Sequence, residues 1–121
     1  MQVANDNCPG QVVISGALPA LEKAMELAKA RGAKRALRLQ VSIAAHSALM
    51  EPEVAGYAEA VAATSVQQPR VPFIGNITAA PLADVDAIRR ELPAQLTSPV
   101  RWTESVRYLI GQGMTTFVEL G

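Results

Sequence analysis

Cysteine is nearly absent from this chain. Cys8 stands alone, so an internal disulfide is impossible. Histidine is as scarce, and His46 with Cys8 is too small a donor set for a structural zinc site, so no metal is expected. Aromatic residues make up only 4% of the chain, so any core must come mostly from Ala, Val, Leu and Ile. There is no excess charge of either sign: 11 basic and 11 acidic side chains cancel. That balance excludes a strongly basic nucleic-acid binder and argues against a polybasic membrane anchor. No apolar run approaches the roughly 20 residues of a membrane helix. Met1 to Asn7 has neither the basic nor the apolar stretch of a secretory signal. What is present is 50% hydrophobic and 18% charged residues over 121 positions, enough for one ordinary domain or a piece of a larger one. The expectation is a globular, cytoplasmic chain that binds neither nucleic acid nor membrane.

Strand and helix signals alternate. Gln11 to Gly16 is a β-branched run closed by glycine and reads as a strand. Leu18 to Arg31 places Leu18, Leu21, Met25 and Ala28 on one helical face, with Gly32 as its stop. On the opposite face Glu26 and Lys29 are spaced to pair. Ala36 to Val41 alternates Leu37, Leu39 and Val41 with Arg38 and Gln40, the pattern of a half-buried strand. Ser42 to Ser47 is a loop around His46, and Ala48 to Ala63 is a second helix. The connector Gln67 to Pro72 carries two prolines and precedes a short buried strand, Val71 to Ile74. A third helix holds Val85, Ile88 and Leu92, with Asp84 as its N-cap. A fourth starts at Ser98-Pro99, faces Trp102, Val106, Leu109 and Ile110 inward, and stops at Gly113. Thr115 to Leu120 is a last strand. This order implies an α/β fold with some parallel pairing. A chain that stops at Gly121, directly after a strand, reads as a break within a longer α/β chain.

Few residues carry chemistry on their own. His46 is the one candidate general acid or base at neutral pH, and its place between a strand and a helix suits that work. The plainer alternative is a His that caps the following helix. Ser42 and Ser47 lie nearby, but neither sits in a Gly-x-Ser-x-Gly elbow. Asn5, Asn7 and Gln11 flank Pro9-Gly10, where their amides serve either the turn or a ligand. Lys34 and Arg35 are either a solvated strand start or a phosphate contact.

The order of short motifs is more specific. Asn5-x-Asn7-x-Pro9-Gly10-Gln11-Val12-Val13-Ile14-Ser15-Gly16 is followed by Gly32-Ala33-Lys34-Arg35 and His46-Ser47-x-Leu49-Met50. Asn76-Ile77-Thr78-Ala79, Gln95-Leu96-x-Ser98-Pro99-Val100-Arg101-Trp102 and Phe117-x-Glu119-x-Gly121 complete the series. Together they resemble the later part of the malonyl-CoA:acyl carrier protein transacylase family, nearly end to end. That resemblance implies malonyl transfer from coenzyme A to the pantetheine thiol of acyl carrier protein, by a ping-pong route through a Ser ester. No cofactor is implied, since the coenzyme A thioester is a substrate. It also implies a ferredoxin-like small subdomain and an α/β-hydrolase-like large one. Residues 1–45 then form part of the first, and residues 46–121 a C-terminal piece of the second.

By the same resemblance His46 matches the catalytic base, and Gln95 the residue whose main-chain carbonyl accepts the His ring N–H. Asn5, Asn7 and Gln11 match positions along the pantetheine path. Lys34 and Arg35 match positions near the coenzyme A phosphates, and Ser42 lies in the loop that shapes the acyl pocket. Ala45 stands where the family usually carries Phe, which implies a roomier pocket. The Gly-His-Ser-x-Gly nucleophile motif occurs nowhere in the chain. The chain alone is therefore expected to be inactive, and to cover its cut surfaces by forming a homodimer. The competing expectation is a stand-alone, non-catalytic binding module built on the same α/β piece.

Overall fold

Pro9 and Gly10 fold the start of the chain back on itself. Gly10 takes φ +87°, which a proline-led turn of this kind requires at its third residue. The arms are β1 (Gln2–Cys8) and β2 (Gln11–Ser15), paired antiparallel with Val3 opposite Ile14 and Asp6 opposite Val12. The register shifts between Val3 and Asn5 and again between Asp6 and Cys8. On its other side β1 takes one parallel bridge from Val100. Asp6 N–H donates to the Val100 carbonyl at 3.0 Å, and Val100 N–H donates to the Ala4 carbonyl at 2.8 Å. The computed structural model describes residues 1–120.

Four α-helices follow: α1 (Leu18–Ala30), α2 (Glu51–Ala63), α3 (Val85–Ala94) and α4 (Trp102–Gly111). A 3-10 turn, Ala48–Met50, leads into α2. Their ends obey local chemistry. Asp84 accepts from Ala87 N–H at 2.7 Å and caps α3. Gly32 and Gly113 both adopt φ +87°. Beyond each glycine the chain bonds back into the helix: Ala33 N–H to the Ala28 carbonyl at 2.9 Å, Met114 N–H to the Leu109 carbonyl at 3.1 Å. That is the Schellman closure, and it needs a residue free to take positive φ. Glu26 pairs with Lys23 at 3.1 Å rather than with Lys29, the two candidates lying three residues to either side.

Helix α2 packs on α3, burying Val61 against the side that holds Ile88, while α4 packs on β1. The small core comprises Ala4, Val61, Ala79, Leu82, Ile88 and Val100. Buried polar residues Ser15, Ser47, Glu91, Thr103 and Ser105 accompany it.

Several expectations fail here for one reason. Ala36–Val41 and Thr115–Leu120 are irregular, and Val71–Ile74 is reduced to a single bridge between Ile74 and Pro81. Their apolar alternation is that of strands, but a strand exists only where a neighbour completes its ladder. Among the described residues none does, and Leu37, Leu39, Val41, Val71, Phe73, Phe117, Val118 and Leu120 are exposed. Among the described residues the only regular sheet is therefore antiparallel, with parallel pairing limited to Asn5 and Val100. Helix α4 begins at Trp102 instead of Ser98, because Val100 is held extended against β1. It is also turned. Thr103 Oγ1 donates to Asp6 Oδ1 at 2.9 Å, so that face meets β1 while Trp102 and Ile110 point out, 52% and 56% exposed. Gly121, directly after the last expected strand and at the end of its motif, lies outside the described residues.

Candidate active site

His46 sits in the loop before α2 with φ +57°. A non-glycine residue in that region costs of the order of 1–3 kcal/mol, so its surroundings must hold it there. They do so through the C-terminal end of α3, where three consecutive carbonyls each meet a donor from the site. The Gln95 carbonyl oxygen lies 2.7 Å from His46 Nδ1. The Leu96 carbonyl accepts from Ser47 N–H at 3.1 Å. The Thr97 carbonyl accepts from the Gln2 side-chain amide at 2.9 Å. A carbonyl oxygen can only accept, so Nδ1 bears the proton, and in the neutral ring Nε2 is left with the lone pair.

The loop is braced from both sides. Ser47, 2% exposed, donates through Oγ to the Ala44 carbonyl at 2.7 Å. Its Oγ also accepts from Leu49 N–H at 3.4 Å. Gln2 Nε2 bonds the His46 carbonyl at 2.9 Å as well, and Gln2 Oε1 accepts from Ala48 N–H at 3.1 Å. The Gln95 side chain is held in turn, its Oε1 accepting from Asn76 Nδ2 at 2.9 Å.

Asn76 belongs to the turn 75–79, which α3 and α4 fix together. Glu91 of α3, 7% exposed, accepts from Ile77 N–H at 2.7 Å. Arg101 N–H donates to the Asn76 carbonyl at 2.8 Å, and Arg101 Nη1 to the Ile77 carbonyl at 3.1 Å. The Arg101 guanidinium also pairs with the Glu104 carboxylate. Their mutual hydrogen bond, helped by charge attraction, holds Glu104 below the ordinary carboxylate range and Arg101 above its usual one.

The residues singled out from the sequence scatter around this cluster. His46 and Gln95 touch directly. Ala45, half-buried, and Ser42, exposed, share the His46 loop. Asn5 and Asn7 are half-buried on β1, the strand that begins with Gln2. Gln11 is exposed at the start of β2, and Lys34 and Arg35 are exposed after α1. Neither cation forms an ion pair among the described residues. Sequence reasoning missed Gln2, Ser47 and Glu91 as site-builders. Asn76 and Arg101 lay inside motif blocks that could have flagged them; Gln2 carried no local signal. No three His, Cys, Asp or Glu side chains among the described residues converge as metal ligands.

Among the described residues His46 Nε2 has no hydrogen-bond partner, which leaves the imidazole able to serve as a base, and comparison gives the class. The chain belongs to the acyl transferase domain family, whose model matches residues 1–121. Within that family it is similar to the malonyl CoA-acyl carrier protein transacylase of Bacillus subtilis (strain 168). The two are 46% identical over 121 residues, 100% of this chain and 38% of that protein. The malonyl CoA-acyl carrier protein transacylase structure from Coxiella burnetii superposes with a TM-score of 0.90 at 40% identity, over 93% of this chain and 36% of that one. A malonyl-transacylase solved in complex with a type II polyketide acyl-carrier protein gives 0.88 at 42% identity, covering 93% and 36%. The chain thus spans under two-fifths of the length of these relatives.

Proposed function

We propose that this chain supplies the base-bearing part of a malonyl-CoA:acyl carrier protein transacylase. The observation that carries the reading is the 2.7 Å contact between His46 Nδ1 and the Gln95 carbonyl, which assigns the proton of a neutral imidazole to Nδ1 and leaves Nε2 without a bonded partner among the described residues. The nucleophilic Ser comes from polypeptide beyond these 121 residues, which contain no Gly-His-Ser-x-Gly. Its hydroxyl attacks the thioester carbonyl of malonyl-CoA while His46 Nε2 takes the hydroxyl proton. Collapse of the tetrahedral intermediate breaks the C–S bond, and coenzyme A leaves as a thiol with that proton. The pantetheine thiol of acyl carrier protein then gives its proton to Nε2 and attacks the malonyl ester, and the Ser oxygen leaves reprotonated. A neutral carbonyl orients the imidazole but adds less charge stabilisation than the Asp of the usual triad.

In this reading Asn5, Asn7 and Gln11 line the pantetheine path, and Ser42 and Ala45 shape the acyl pocket. Lys34 and Arg35 meet the coenzyme A phosphates; their exposure and freedom from carboxylate partners support that role. Residues 1–45 act as part of a ferredoxin-like subdomain and 46–121 as a piece of the large one. The site then falls on the seam, which Gln2 crosses to reach His46. No helix is long and apolar enough to cross a membrane, and a coenzyme A substrate fits a cytoplasmic place of work.

The three exposed apolar segments, 36–43, 71–73 and 114–120, are the faces that the Ser-bearing polypeptide covers. In its absence a second copy covers them, giving a homodimer. Light scattering across a concentration series checks this; a monomer at high micromolar concentration would refute the dimer. The same exposed faces also favour a second reading, a binding module without catalysis. Tight binding of acyl carrier protein by this chain, with no gain from the Ser-bearing part, would favour that reading.

Intact mass after exposure to malonyl-CoA tests the catalytic reading. The chain alone stays unmodified. Mixed with the complementary part of a relative, it yields a malonyl-Ser on that part, and His46→Ala abolishes the product. A stoichiometric malonyl ester on this chain by itself would overturn the proposal.

A further inference from the structure

We infer that Gln2 is a positioning residue that sets the tautomer of His46. Its side-chain amide is fully used. One nitrogen serves the His46 and Thr97 carbonyls, both at 2.9 Å, and the oxygen takes Ala48 N–H at 3.1 Å. The orientation is dictated by the partners: two carbonyls can only accept and an N–H can only donate, so a flipped amide would lose all three bonds. Among the described residues Gln2 is the one side chain from outside that bonds both the 46–48 segment and the 95–97 segment. Those two segments carry the two ends of the Nδ1 contact.

The contact needs such a staple. His46 is held at φ +57°, a conformation its own backbone does not prefer. Outside Gln2, among the described residues only Ser47 N–H to the Leu96 carbonyl ties the two segments through the backbone, at 3.1 Å. If the donors of Gln2 are removed, the His46 carbonyl is released and the loop can relax toward ordinary φ. The ring then swings away from the Gln95 carbonyl, and nothing compels Nδ1 to keep the proton. Gln2 touches no reacting atom, so its effect runs through the ring orientation alone.

The inference rests on the reading of His46 as the base, but its test does not. His46 is the only histidine, so its ring nitrogens give unambiguous resonances in the 15N-labelled 121-residue chain. At pH 9, where an imidazole is neutral, the nitrogen shifts report the ratio of Nδ1–H to Nε2–H. The unmodified chain shows predominantly Nδ1–H. Gln2→Glu keeps the acceptor for Ala48 but loses both donors, and lowers the ratio about two- to tenfold, the range a net hydrogen bond of ordinary strength gives. Gln2→Lys keeps donors for the two carbonyls and retains most of the ratio. Ile88→Val, in the α2–α3 core, lowers the melting temperature and leaves the ratio unchanged. A Gln2→Glu chain with the parental ratio, or a Lys variant as impaired as the Glu one, overturns the inference. Should the variants not fold, the unmodified chain still decides: through-hydrogen-bond couplings from Gln2 Nε2 to the His46 and Thr97 carbonyls are expected, and their absence overturns it. If these results hold while reconstituted enzyme shows no dependence on His46, the catalytic reading fails and the positioning role stands.

Discussion

Gly75→Ala probes the turn on which the Gln95 side chain depends. A Cβ at this position would lie 2.6 Å from Thr78 Oγ1 and 2.9 Å from the Glu91 carboxylate. Thr78 is exposed and its hydroxyl can rotate aside. Glu91 cannot yield cheaply, because it is 7% exposed and its other oxygen is bonded to Ile77 N–H at 2.7 Å. Overpacking of this kind costs about 1–3 kcal/mol. Against it, alanine restricts the unfolded chain and returns about 0.4–1 kcal/mol. The net expectation is a loss of about 1–2 kcal/mol, read as a lower urea midpoint at unchanged slope. A double-mutant cycle isolates the cause. In a Glu91→Ala background the carboxylate is gone, and the Gly75→Ala penalty should shrink by at least about 0.5 kcal/mol, the lower end for contacting pairs. An equal penalty in both backgrounds, or a Gly75→Ala chain more stable than the parent, would refute the packing argument.

Two further outcomes follow from the same geometry. Ser47→Ala removes the buried hydroxyl that bonds the Ala44 carbonyl at 2.7 Å and caps the turn at Leu49, and should cost about 1–2 kcal/mol by thermal or urea unfolding. In the reconstituted enzyme, Ala45→Phe should lower kcat/KM for methylmalonyl-CoA relative to malonyl-CoA by roughly 10- to 200-fold, the range of one added methyl in a pocket; equal ratios before and after substitution would sink the pocket assignment.

What could be read from the residues was local. Asp84 capping α3, Gly32 and Gly113 closing α1 and α4, and the turn at Pro9-Gly10 all depend on neighbours within five residues, and each is found. β1 escaped because Asn5, Asp6 and Asn7 are poor strand formers. Its pairing is imposed by β2 and Val100, a partner nearly a hundred residues away in sequence. The exposed segments around Leu39, Phe73 and Val118 are the converse. Their pattern is right for strands, and the described residues supply no ladder. At the site, the pairing of His46 with Gln95 came from motif resemblance, whereas Gln2 could be seen only once the chain had closed.

The candidate site is assembled at and just beyond helix ends, and this explains how a chain with so small a core can hold an imidazole in one orientation. The last carbonyls of a helix have no partner within it and must find donors elsewhere. At the C-cap of α3 the Gln95 carbonyl turns that need outward and meets His46 Nδ1, and in the turn that follows the Leu96 and Thr97 carbonyls meet Ser47 N–H and Gln2 Nε2. The same end carries the partial negative charge of the helix dipole, so the ring is oriented by an acceptor of the right sign without a carboxylate. Asp84 fixes the other end of α3, and Glu91, one turn before the exit, ties the helix to the turn that holds the Gln95 side chain through Asn76. Taken together these bonds specify one place for the imidazole, and its orientation follows from backbone satisfaction rather than from a large hydrophobic core.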